Sequence, residues 1–218
     1  MLFQKKYWEK KRKRRSPDHP VVKACCRSIL SSFFDVVDSS FNGSNQKATL
    51  LDLGSGNGYF SYQLRANYDT VVLDYSSYML KINPFEKKVR ADIGNLPFPD
   101  KSFDVVLCAN SLHHVENMER CLIEMKRVSR DYIILIEPNG SCPFILLQSI
   151  LIPAERAARK FTTNFIQRKV EEAGLKVISY TSTGIILPKR FPVWSLKLCK
   201  YLKSEFKWAL FNVFITRQ

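Results

Sequence analysis

A glycine-rich segment in the first third of the chain has the composition of a ligand-binding loop. It reads Asp52-Leu53-Gly54-Ser55-Gly56-Asn57-Gly58, ends the apolar run at 48–54 and leads into a predicted helix at 58–67. Glycines lack Cβ atoms, so the backbone can turn tightly and a ligand can approach the amides closely. The amides and the positive dipole end at the start of a helix favour an anionic group. The segment therefore predicts a small-molecule site between a strand and a helix.

An acidic residue at the end of the next predicted strand fits the same site. Asp74 stands twenty residues after Gly54, near the end of the apolar run at 70–76. A carboxylate at this position can accept hydrogen bonds from both hydroxyls of a ribose. Loops that bind dinucleotides need a small residue at the position of Tyr59, so a dinucleotide dehydrogenase is a distant alternative. A tight strand-to-helix turn without a ligand is another.

Three further motifs follow in order and carry a resemblance to a known family. They are Asp92-Ile93, a predicted strand at 103–110 that begins Phe-Asp-Val-Val, and the segment Asn110-Ser111-Leu112-His113-His114. With the glycine loop and Asp74, they make residues 48–138 resemble the class I S-adenosylmethionine-dependent methyltransferases. The resemblance implies S-adenosyl-L-methionine (SAM) as the cofactor and S-adenosyl-L-homocysteine as its product. The chain is similar to the small-molecule branch, which includes the ubiquinone/menaquinone-type C-methyltransferases.

The resemblance also implies a role for the matching residues. Asp74 would hold the ribose, Asp92 would reach the adenine amino group and Ile93 would pack against the adenine ring. Tyr75 is a candidate for packing on the adenine, with a structural tyrosine as the alternative. The implied cofactor-binding residues are Asp52, Gly54, Ser55, Gly56, Gly58, Asp74, Tyr75, Asp92, Ile93 and Asn110.

Two adjacent histidines are the predicted catalytic residues. Because the sulfonium of SAM already activates the methyl carbon, the protein has to align a nucleophile and exclude water. A general base is needed only if the nucleophile must lose a proton. His113 and His114 lie beside the expected methyl group, and a free histidine titrates near neutrality. His19 is a weaker third candidate, and capping or packing is the alternative for each histidine.

The residues after the fourth predicted strand exclude several methyl acceptors. Amino methylation of DNA bases in this fold uses an Asn/Asp-Pro-Pro-Tyr/Phe turn, which Asn110-Ser111-Leu112-His113 does not match. Methylation of pyrimidine C5 needs a thiolate nucleophile, and Cys108 lies inside the predicted strand. No cysteine pair or cluster of carboxylates predicts a metal site. The remaining expectation is a small-molecule or lipid-like acceptor that is methylated on O, N or C.

Alternating strands and helices must position these residues. Helices are predicted at 20–38, 58–67, 115–128, 166–174 and about 195–206, and strands at 48–54, 70–76, 88–92, 103–110, 131–139, 175–181 and 208–216. Such alternation predicts an α/β fold with a mostly parallel sheet and helices on both faces. The resemblance implies a Rossmann-like, seven-stranded sheet whose antiparallel last strand lies between the fifth and sixth strands.

The chain is interpreted as a single methyltransferase domain, 1–218. Within it, we expect a basic helical cap at 1–45 and a SAM-binding core at 46–138. A substrate-cap insertion should follow at 139–163, and a C-terminal part with helices and strands at 164–218. The insertion contains the apolar run at 144–152, which could form one wall of the acceptor pocket. Core packing or a dimer contact is the alternative for this run.

Charge is unevenly distributed along the chain. Residues 1–27 carry a net charge of +8, residues 28–153 carry −3 and residues 154–218 carry +9, in a chain with a net charge of +14. Basic ends suit RNA or an anionic membrane surface, and a solvated charged face is the alternative. An RNA methyltransferase and a non-catalytic SAM-fold scaffold are therefore the competing functions.

The sequence predicts neither a membrane span nor a secretory signal. The longest nearly apolar run has nine residues, whereas a spanning helix needs about 20. The basic N-terminus lacks the apolar stretch of a signal peptide. Six cysteines without metal-ligand spacing fit a reducing compartment. We therefore expect a cytoplasmic protein, and the sequence contains no signal for an oligomeric state.

Overall fold

A seven-stranded sheet lies at the centre of the computed structural model, which describes residues 7–10, 14–41, 46–184, 192–196 and 209–217. The strands are β1 (Ala48–Leu53), β2 (Tyr68–Asp74), β3 (Lys88–Arg90), β4 (Phe103–Ala109), β5 (Ser129–Pro138), β6 (Lys176–Thr183) and β7 (Phe211–Arg217). They lie in the order β3-β2-β1-β4-β5-β7-β6.

One strand of this sheet runs against the others. β7 pairs antiparallel with both β5 and β6, whereas β1 pairs parallel with β2 and β4. Val213, Phe214 and Ile215 in the middle of β7 are buried, because helices and neighbouring strands cover both of its faces and both of its edges. The predicted insertion of the last strand between the fifth and sixth strands is confirmed.

The strands have continuous apolar sequences because helices cover the sheet on both faces. Alternate residues of β4 point to opposite sides, so Val105 and Leu107 belong to one buried cluster while Val106 and Cys108 belong to the other. The first cluster packs against the N-terminal helix α1 (Pro20–Ile29) and the short helical turns that continue it to Phe41. The predicted layering of helices on both faces is confirmed.

The remaining helices follow the strands in alternation. They are α2 (Ser61–Leu64), α3 (Ser77–Ile82), α4 (Met118–Val128), α5 (Pro143–Leu151) and α6 (Thr163–Glu172), with 3-10 segments at Leu112–His114, Pro153–Lys160 and Val193–Ser195. Polar side chains begin several of them: the Asn117 side chain accepts the Arg120 amide, and Ser76 accepts the Met79 amide. These caps hold the segments that follow β4 and β2.

Two predicted helices differ from the structure. The helix expected at 58–67 is reduced to the four residues of α2, because the chain is still turning after the glycine loop and β2 already begins at Tyr68. The helix expected at 20–38 is a continuous α-helix only to Ile29; a short α-helical turn follows at Ser31–Phe33 and a π-helical turn occupies Phe34–Asp38. Most of the helix predicted at 195–206 lies outside the described residues.

The strand order reverses between β1 and β4. From β1 the chain continues to β2 and β3 on one side of the sheet, and it then returns to β4 on the other side of β1. In open α/β sheets, ligands bind in the crevice beyond the carboxyl ends of the strands at this reversal. The loops after β1, β2 and β4 meet there, and the segment with α5 and Pro153–Lys160 lies beside them. The topology therefore brings the candidate residues of the sequence to one place.

Candidate functional site

A cavity of about 620 Å³ opens at this edge of the sheet, within the range of about 300–1,000 Å³ that is usual for small-molecule sites. Nine of the ten predicted cofactor-binding residues line it, all except Gly58, and so do both predicted catalytic histidines. The N-terminal segment contributes Trp8 and Arg14, and the segment after β5 contributes Ile145, Gln148, Glu155 and Ala158. One cavity thus joins the two sets of residues.

Two glycines of the loop after β1 are required for different reasons. A Cβ on Gly54 would collide with the Ser111 hydroxyl, so a glycine is needed for the close contact between the loop and the end of β4. A Cβ on Gly56 would meet nothing within 4 Å, and the residue lines the cavity with a φ of +53°. The open space at Gly56 is the kind of cradle that a ligand needs to approach the backbone.

Gly58 has a different place from the one predicted. It does not line the cavity: a Cβ there would lie 3.2–3.4 Å from Asn83 and Pro84. Its amide donates a hydrogen bond to the Ser55 carbonyl at 2.8 Å, which closes the turn. Gly58 therefore shapes the loop from behind, and its role as a cofactor contact stays a prediction.

Asp74 connects the glycine loop to β2. Its carboxylate accepts the Gly56 amide at 2.8 Å and the Ser76 amide at 2.7 Å. Burial raises the pKa of Asp74, against the lowering effect of these two hydrogen bonds. A carboxylate oxygen has more than one lone pair, so Asp74 can accept further hydrogen bonds from a ligand in the cavity.

Asp52 is the most deeply placed acid of the loop, with 2% of its surface exposed. Burial raises the pKa of its carboxyl to about 7, and the charge of Asp74 acts in the same direction. Asp52 lines the bottom of the cavity behind Gly54 and Gly56. No described cation lies within ion-pair distance of this carboxyl, so no ion pair stabilises its charged form.

The residues predicted to hold an adenine lie on the side of the cavity near β2 and β3. The Asp92 carboxylate accepts the Gly94 amide at 2.9 Å, and Ile93 is buried beside it. Tyr75 is 40% exposed, and the Arg90 guanidinium lies over its ring at 5.7 Å. All three residues line the cavity, so an apolar ring could pack there with a carboxylate at its edge.

The end of β4 has a strained backbone. Asn110 has a φ of +54°, a left-handed conformation that few residues other than glycine adopt, and its amide donates to the Ile136 carbonyl at 2.7 Å. Such strain persists where the surrounding structure imposes it, often at functional sites. At Asn110 it directs the following segment, with both histidines, across the cavity.

His113 is clamped by two glutamates. Its Nδ1 lies 2.6 Å from Glu137 and its Nε2 lies 3.2 Å from Glu155. Glu137 is fully buried and also accepts the amides of Ser111 and Leu112, each at 2.9 Å. Burial lowers the pKa of His113, but the two glutamates outweigh this and raise it to about 9. A histidine that holds its proton at neutral pH does not fit the general base expected from the sequence.

His114 has the opposite environment. Burial and the neighbouring charge of His113 lower its pKa to about 3, and the two rings lie 3.9 Å apart. The backbone of Ala154 takes a hydrogen bond from the His114 ring, while Nδ1 is buried without a hydrogen-bond partner. The Trp8 ring meets His114 edge-on at 5.2 Å. His114 therefore presents a neutral ring nitrogen in this part of the site.

Two other residues considered from the sequence have structural roles. The Nδ1 atom of His19 accepts the Val21 amide at 3.2 Å and caps α1, so His19 is not placed to act as a base. Cys108 is fully buried inside β4, and burial raises the pKa of its thiol well above the ordinary value. This agrees with the exclusion of a thiolate nucleophile.

The described parts of the N-terminal segment border the cavity at Trp8 and Arg14 and are hydrogen-bonded to the core. The Glu9 carboxylate accepts the amides of Ser77 and Tyr78 at the start of α3, and the Ser76 hydroxyl donates to the Trp8 carbonyl. The Asn57 side chain donates to the Arg15 carbonyl at 3.1 Å. Through these contacts Trp8 comes to lie beside His114, next to the cavity.

Three functional positions were missed by the sequence analysis. Glu137 carried a usable signal, because it is a charged residue near the end of the otherwise apolar stretch Tyr132–Pro138 of β5. Glu155 and Asn83 carried none. Glu155 lies in a basic segment far along the chain, and the buried Asn83 holds the glycine loop by donating to the Gly56 carbonyl at 3.0 Å.

Comparisons with known proteins identify sequences and structures to which this chain is similar. Residues 51–135 match the family model described as a methyltransferase domain. An uncharacterized protein of Methanocaldococcus jannaschii is 42% identical over 83 residues, which cover 38% of this chain and 36% of that protein. A demethylmenaquinone methyltransferase of Paenarthrobacter aurescens is 28% identical over 150 residues, which cover 66% of this chain and 55% of that protein. These alignments thus span about a third to a half of the relatives' lengths.

Solved structures share the fold over nearly the whole chain. A SAM-dependent methyltransferase of Thermotoga maritima superposes with a TM-score of 0.69 at 19% identity, covering 90% of this chain and 91% of that one. At this identity the likeness establishes the Rossmann-like fold of the class I enzymes and no more. The candidate residues keep the roles that their own contacts support.

Proposed function

Since the chain carries a methyltransferase domain of the class I, SAM-dependent type, we propose that it transfers a methyl group from SAM to a small-molecule or lipid-like acceptor. The observation that carries the proposal is the single cavity, in which the open glycine cradle at Gly56 and the acceptor Asp74 lie at one end and the two histidines at the other. S-adenosyl-L-homocysteine would be the second product.

The residues of the cradle suit SAM. Asp74 would accept hydrogen bonds from the ribose hydroxyls, while the Gly56 backbone would lie against the nucleoside and Asp92 and Ile93 would hold the adenine. SAM supplies an activated methyl group, and the protein's own task is to orient the acceptor and exclude water. Positioning of this kind can lower a barrier by roughly 7–11 kcal/mol. His113 and His114 would line the place where the acceptor meets the methyl group.

The wall of the cavity beyond the histidines suits an amphipathic acceptor. Helix α5 turns Ile145 and Gln148 toward the cavity, while Phe211 and Ala158 complete the wall. The demethylmenaquinone methyltransferase among the relatives carries a lipid-like acceptor in its name, which supports an acceptor with a large apolar part. We infer that the accepting group enters next to α5 and is directed toward the histidines.

The opposite face of α5 suits an anionic lipid surface as a partner. It exposes five large apolar side chains, of which Ile150 and Leu151 are 68% and 69% exposed, the others being Phe144, Leu146 and Leu147. The next segment exposes Arg156, Arg159 and Lys160, and no acidic side chain in the described ranges forms an ion pair with them. An apolar face with flanking cations is the pattern of a helix that lies in a lipid interface.

No helix in the described part of the chain has both the length and the apolar character to cross a bilayer. We infer a cytoplasmic protein that visits the membrane surface, because the five cysteines in the described residues are buried and form no disulfide with one another, as in a reducing compartment. Binding to the surface would bring the mouth of the cavity close to acceptors that are dissolved in the lipid.

A vesicle-sedimentation assay tests the partner. The double variant Ile150→Glu/Leu151→Glu should reduce binding to vesicles of anionic phospholipid at least about tenfold, because it replaces apolar contacts with charges. Ile123→Glu, at an exposed isoleucine of α4, is the matched control and should bind like the wild type. Equal binding by all three proteins would exclude α5 as the docking face.

A methyl-transfer assay with tritiated SAM tests the enzymatic function. Small-molecule, lipid, RNA and protein fractions of a cell extract are offered separately, and we expect label in the small-molecule or lipid fraction. Label in RNA that disappears steeply with added salt would support the competing RNA methyltransferase. S-adenosylhomocysteine binding without transfer to any fraction would support the scaffold hypothesis.

A further inference from the structure

Three metal-ligating groups converge at the histidine end of the cavity. One ring nitrogen each of His113 and His114 and a carboxylate oxygen of Glu155 all lie within 4.8 Å of one another. The three residues come from the segment after β4 and from the 3-10 segment Pro153–Lys160, which lie 39 residues apart in sequence at their ends. Their meeting is a product of the tertiary fold.

His113 is oriented as a metal ligand would be. Its Nδ1 lies 2.6 Å from the buried Glu137, which is itself held by two backbone amides. Glu137 therefore favours the proton on Nδ1 and directs Nε2 toward Glu155, 3.2 Å away. Metal-binding histidines almost always give their second ring nitrogen to a carboxylate or a backbone carbonyl in this way.

His114 has the same arrangement with a backbone partner. Ala154 engages one side of the ring through its backbone, and Nδ1 is buried with no hydrogen-bond partner. A buried polar atom without a hydrogen-bond partner destabilises the folded protein. Both rings are thus anchored on one nitrogen, and one ring nitrogen of each lies within 4.8 Å of a Glu155 carboxylate oxygen.

A salt bridge alone does not account for this cluster. A protonated His113 between Glu137 and Glu155 would explain the two short contacts of its ring. It would leave Nδ1 of the neutral His114 ring without a partner beside the positively charged His113 ring. A cation held jointly by the three groups gives every one of these atoms a partner.

We propose that Nε2 of His113, Nδ1 of His114 and the Glu155 carboxylate bind a zinc ion. Two imidazoles and one glutamate are a ligand set of catalytic zinc sites, in which the fourth position stays open for water or substrate. The open position here would face the cavity, which all three residues line. Glu137 is a positioning residue, since it orients His113 without touching the ion.

The role of the ion rests on the proposed function. A hydroxyl group of the acceptor that takes the open position would lose its proton more readily. The oxygen would then form a bond to the methyl carbon as the carbon–sulfur bond of SAM breaks. The hydroxyl proton passes to solvent, and S-adenosylhomocysteine leaves as a neutral thioether. This role requires no free histidine to act as the base.

Zinc binding is measured directly, apart from activity. Full-length protein freed of metal with a chelator is titrated with Zn²⁺ against a chromophoric competitor, and bound metal is counted by mass spectrometry. We expect one zinc per chain, at least about tenfold weaker binding in His114→Ala and Glu155→Gln, and about 10- to 100-fold weaker binding in Glu137→Gln. His19→Ala, which alters a histidine that caps α1, should bind zinc like the wild type.

Co²⁺ provides a second readout, because bound cobalt should show the visible absorption of a tetrahedral site and lose it in His114→Ala. Calorimetry with S-adenosylhomocysteine checks that each variant is folded. If the wild-type protein binds S-adenosylhomocysteine but no zinc, the metal site is overturned and the proposed function remains. If it binds zinc but no S-adenosylhomocysteine, the proposed function is overturned and the metal site remains. Equal zinc affinity in all variants identifies adventitious binding and also overturns the proposal.

Discussion

The cavity has a proposed cofactor end, around Gly56 and Asp74, and a proposed acceptor end, around His113 and His114. These two ends are built in different ways. At the cofactor end, the groups that face the cavity come from the ends of neighbouring parallel strands and their loops. Backbone atoms of the glycine loop form part of the cavity wall and hydrogen-bond to Asp74. At the acceptor end, side chains from β5, from the segment after β4, from Pro153–Lys160 and from the N-terminal segment meet. One end depends on local chain geometry, and the other depends on long-range packing.

The two ends also treat buried carboxyl groups differently. Asp52 at the cofactor end is buried without an ion-pair partner in the described part of the chain, and burial raises its pKa to about 7. Glu137 at the acceptor end is equally buried but has His113 and two backbone amides around it. A buried charge is tolerated when it is hydrogen-bonded and paired. The cofactor end should therefore respond to pH through Asp52.

The largest expected effect is at Gly56. In Gly56→Val, a side chain enters the open cradle, so we expect no measurable S-adenosylhomocysteine binding in calorimetry. Gly174→Val is the control for backbone strain, because Gly174 also has a positive φ, +69°, but does not line the cavity. Should the Gly56 variant bind normally, the cofactor end would not depend on this backbone position.

Asp52→Asn tests the unpaired buried carboxyl. The pKa of Asp52 is raised from 3.8 to about 7 on folding, so the folded protein holds this proton more tightly than the unfolded chain. Its contribution to stability is complete below pH 3.8 and is lost as the pH rises to about 7, by at most about 4 kcal/mol.

The variant cannot lose this contribution, so its free energy of unfolding should fall less than that of the wild type between these pH values. Urea denaturation at several pH values measures the difference. Asp69→Asn, at an exposed residue of β2 that pairs with Lys87, should follow the wild type. Parallel pH profiles of Asp52→Asn and the wild type would contradict the unpaired state of Asp52.

Asp74→Ala removes the carboxylate that links β2 to the loop. Hydrogen bonds to a charged group contribute about 1.5–3 kcal/mol, so S-adenosylhomocysteine affinity should fall by about tenfold or more. Asp69→Ala on the same strand is the matched control and should keep wild-type affinity. An unchanged dissociation constant in Asp74→Ala would remove Asp74 from the ribose site.

The smallest expected effect at the cofactor end is in Asp92→Ala. Asp92 is predicted to reach only the adenine amino group, while Ile93 still packs against the ring, so the loss of affinity should be a few-fold, about 1 kcal/mol or less. Calorimetry compares it directly with Asp74→Ala. A loss larger than that of Asp74→Ala would reverse the assignment of the two acids.

Much of the cofactor end was predictable from particular residues. Gly54, Gly56 and Asp74 were found by spacing alone, because a strand, its turn and the next strand are close in sequence and follow simple rules of chain geometry. Spacing also identified Gly58 but did not show which side of the turn it occupies, and the structure places it against Asn83 and Pro84.

The acceptor end was predictable only in part. His113 and His114 were predicted to lie beside the methyl group, and this stays a prediction. Their partners Glu137 and Glu155 were not predicted, and these partners decide which ring is protonated and which nitrogen lacks a partner. A histidine's chemistry depends on the groups that surround it, and here those groups come from segments far apart in the chain.

The amino-acid sequence by itself determined the alternation of strands and helices, the glycine loop and the acid at the end of β2, because these depend on periodicity, steric freedom and short-range spacing. Only the tertiary structure decided that Glu155 in Pro153–Lys160 reaches the histidine pair, that the Trp8 ring meets His114 edge-on and that no cation in the described part of the chain pairs with Asp52. Each of these contacts requires the sheet to assemble first, since burial and pairing exist only once distant segments share the same interior.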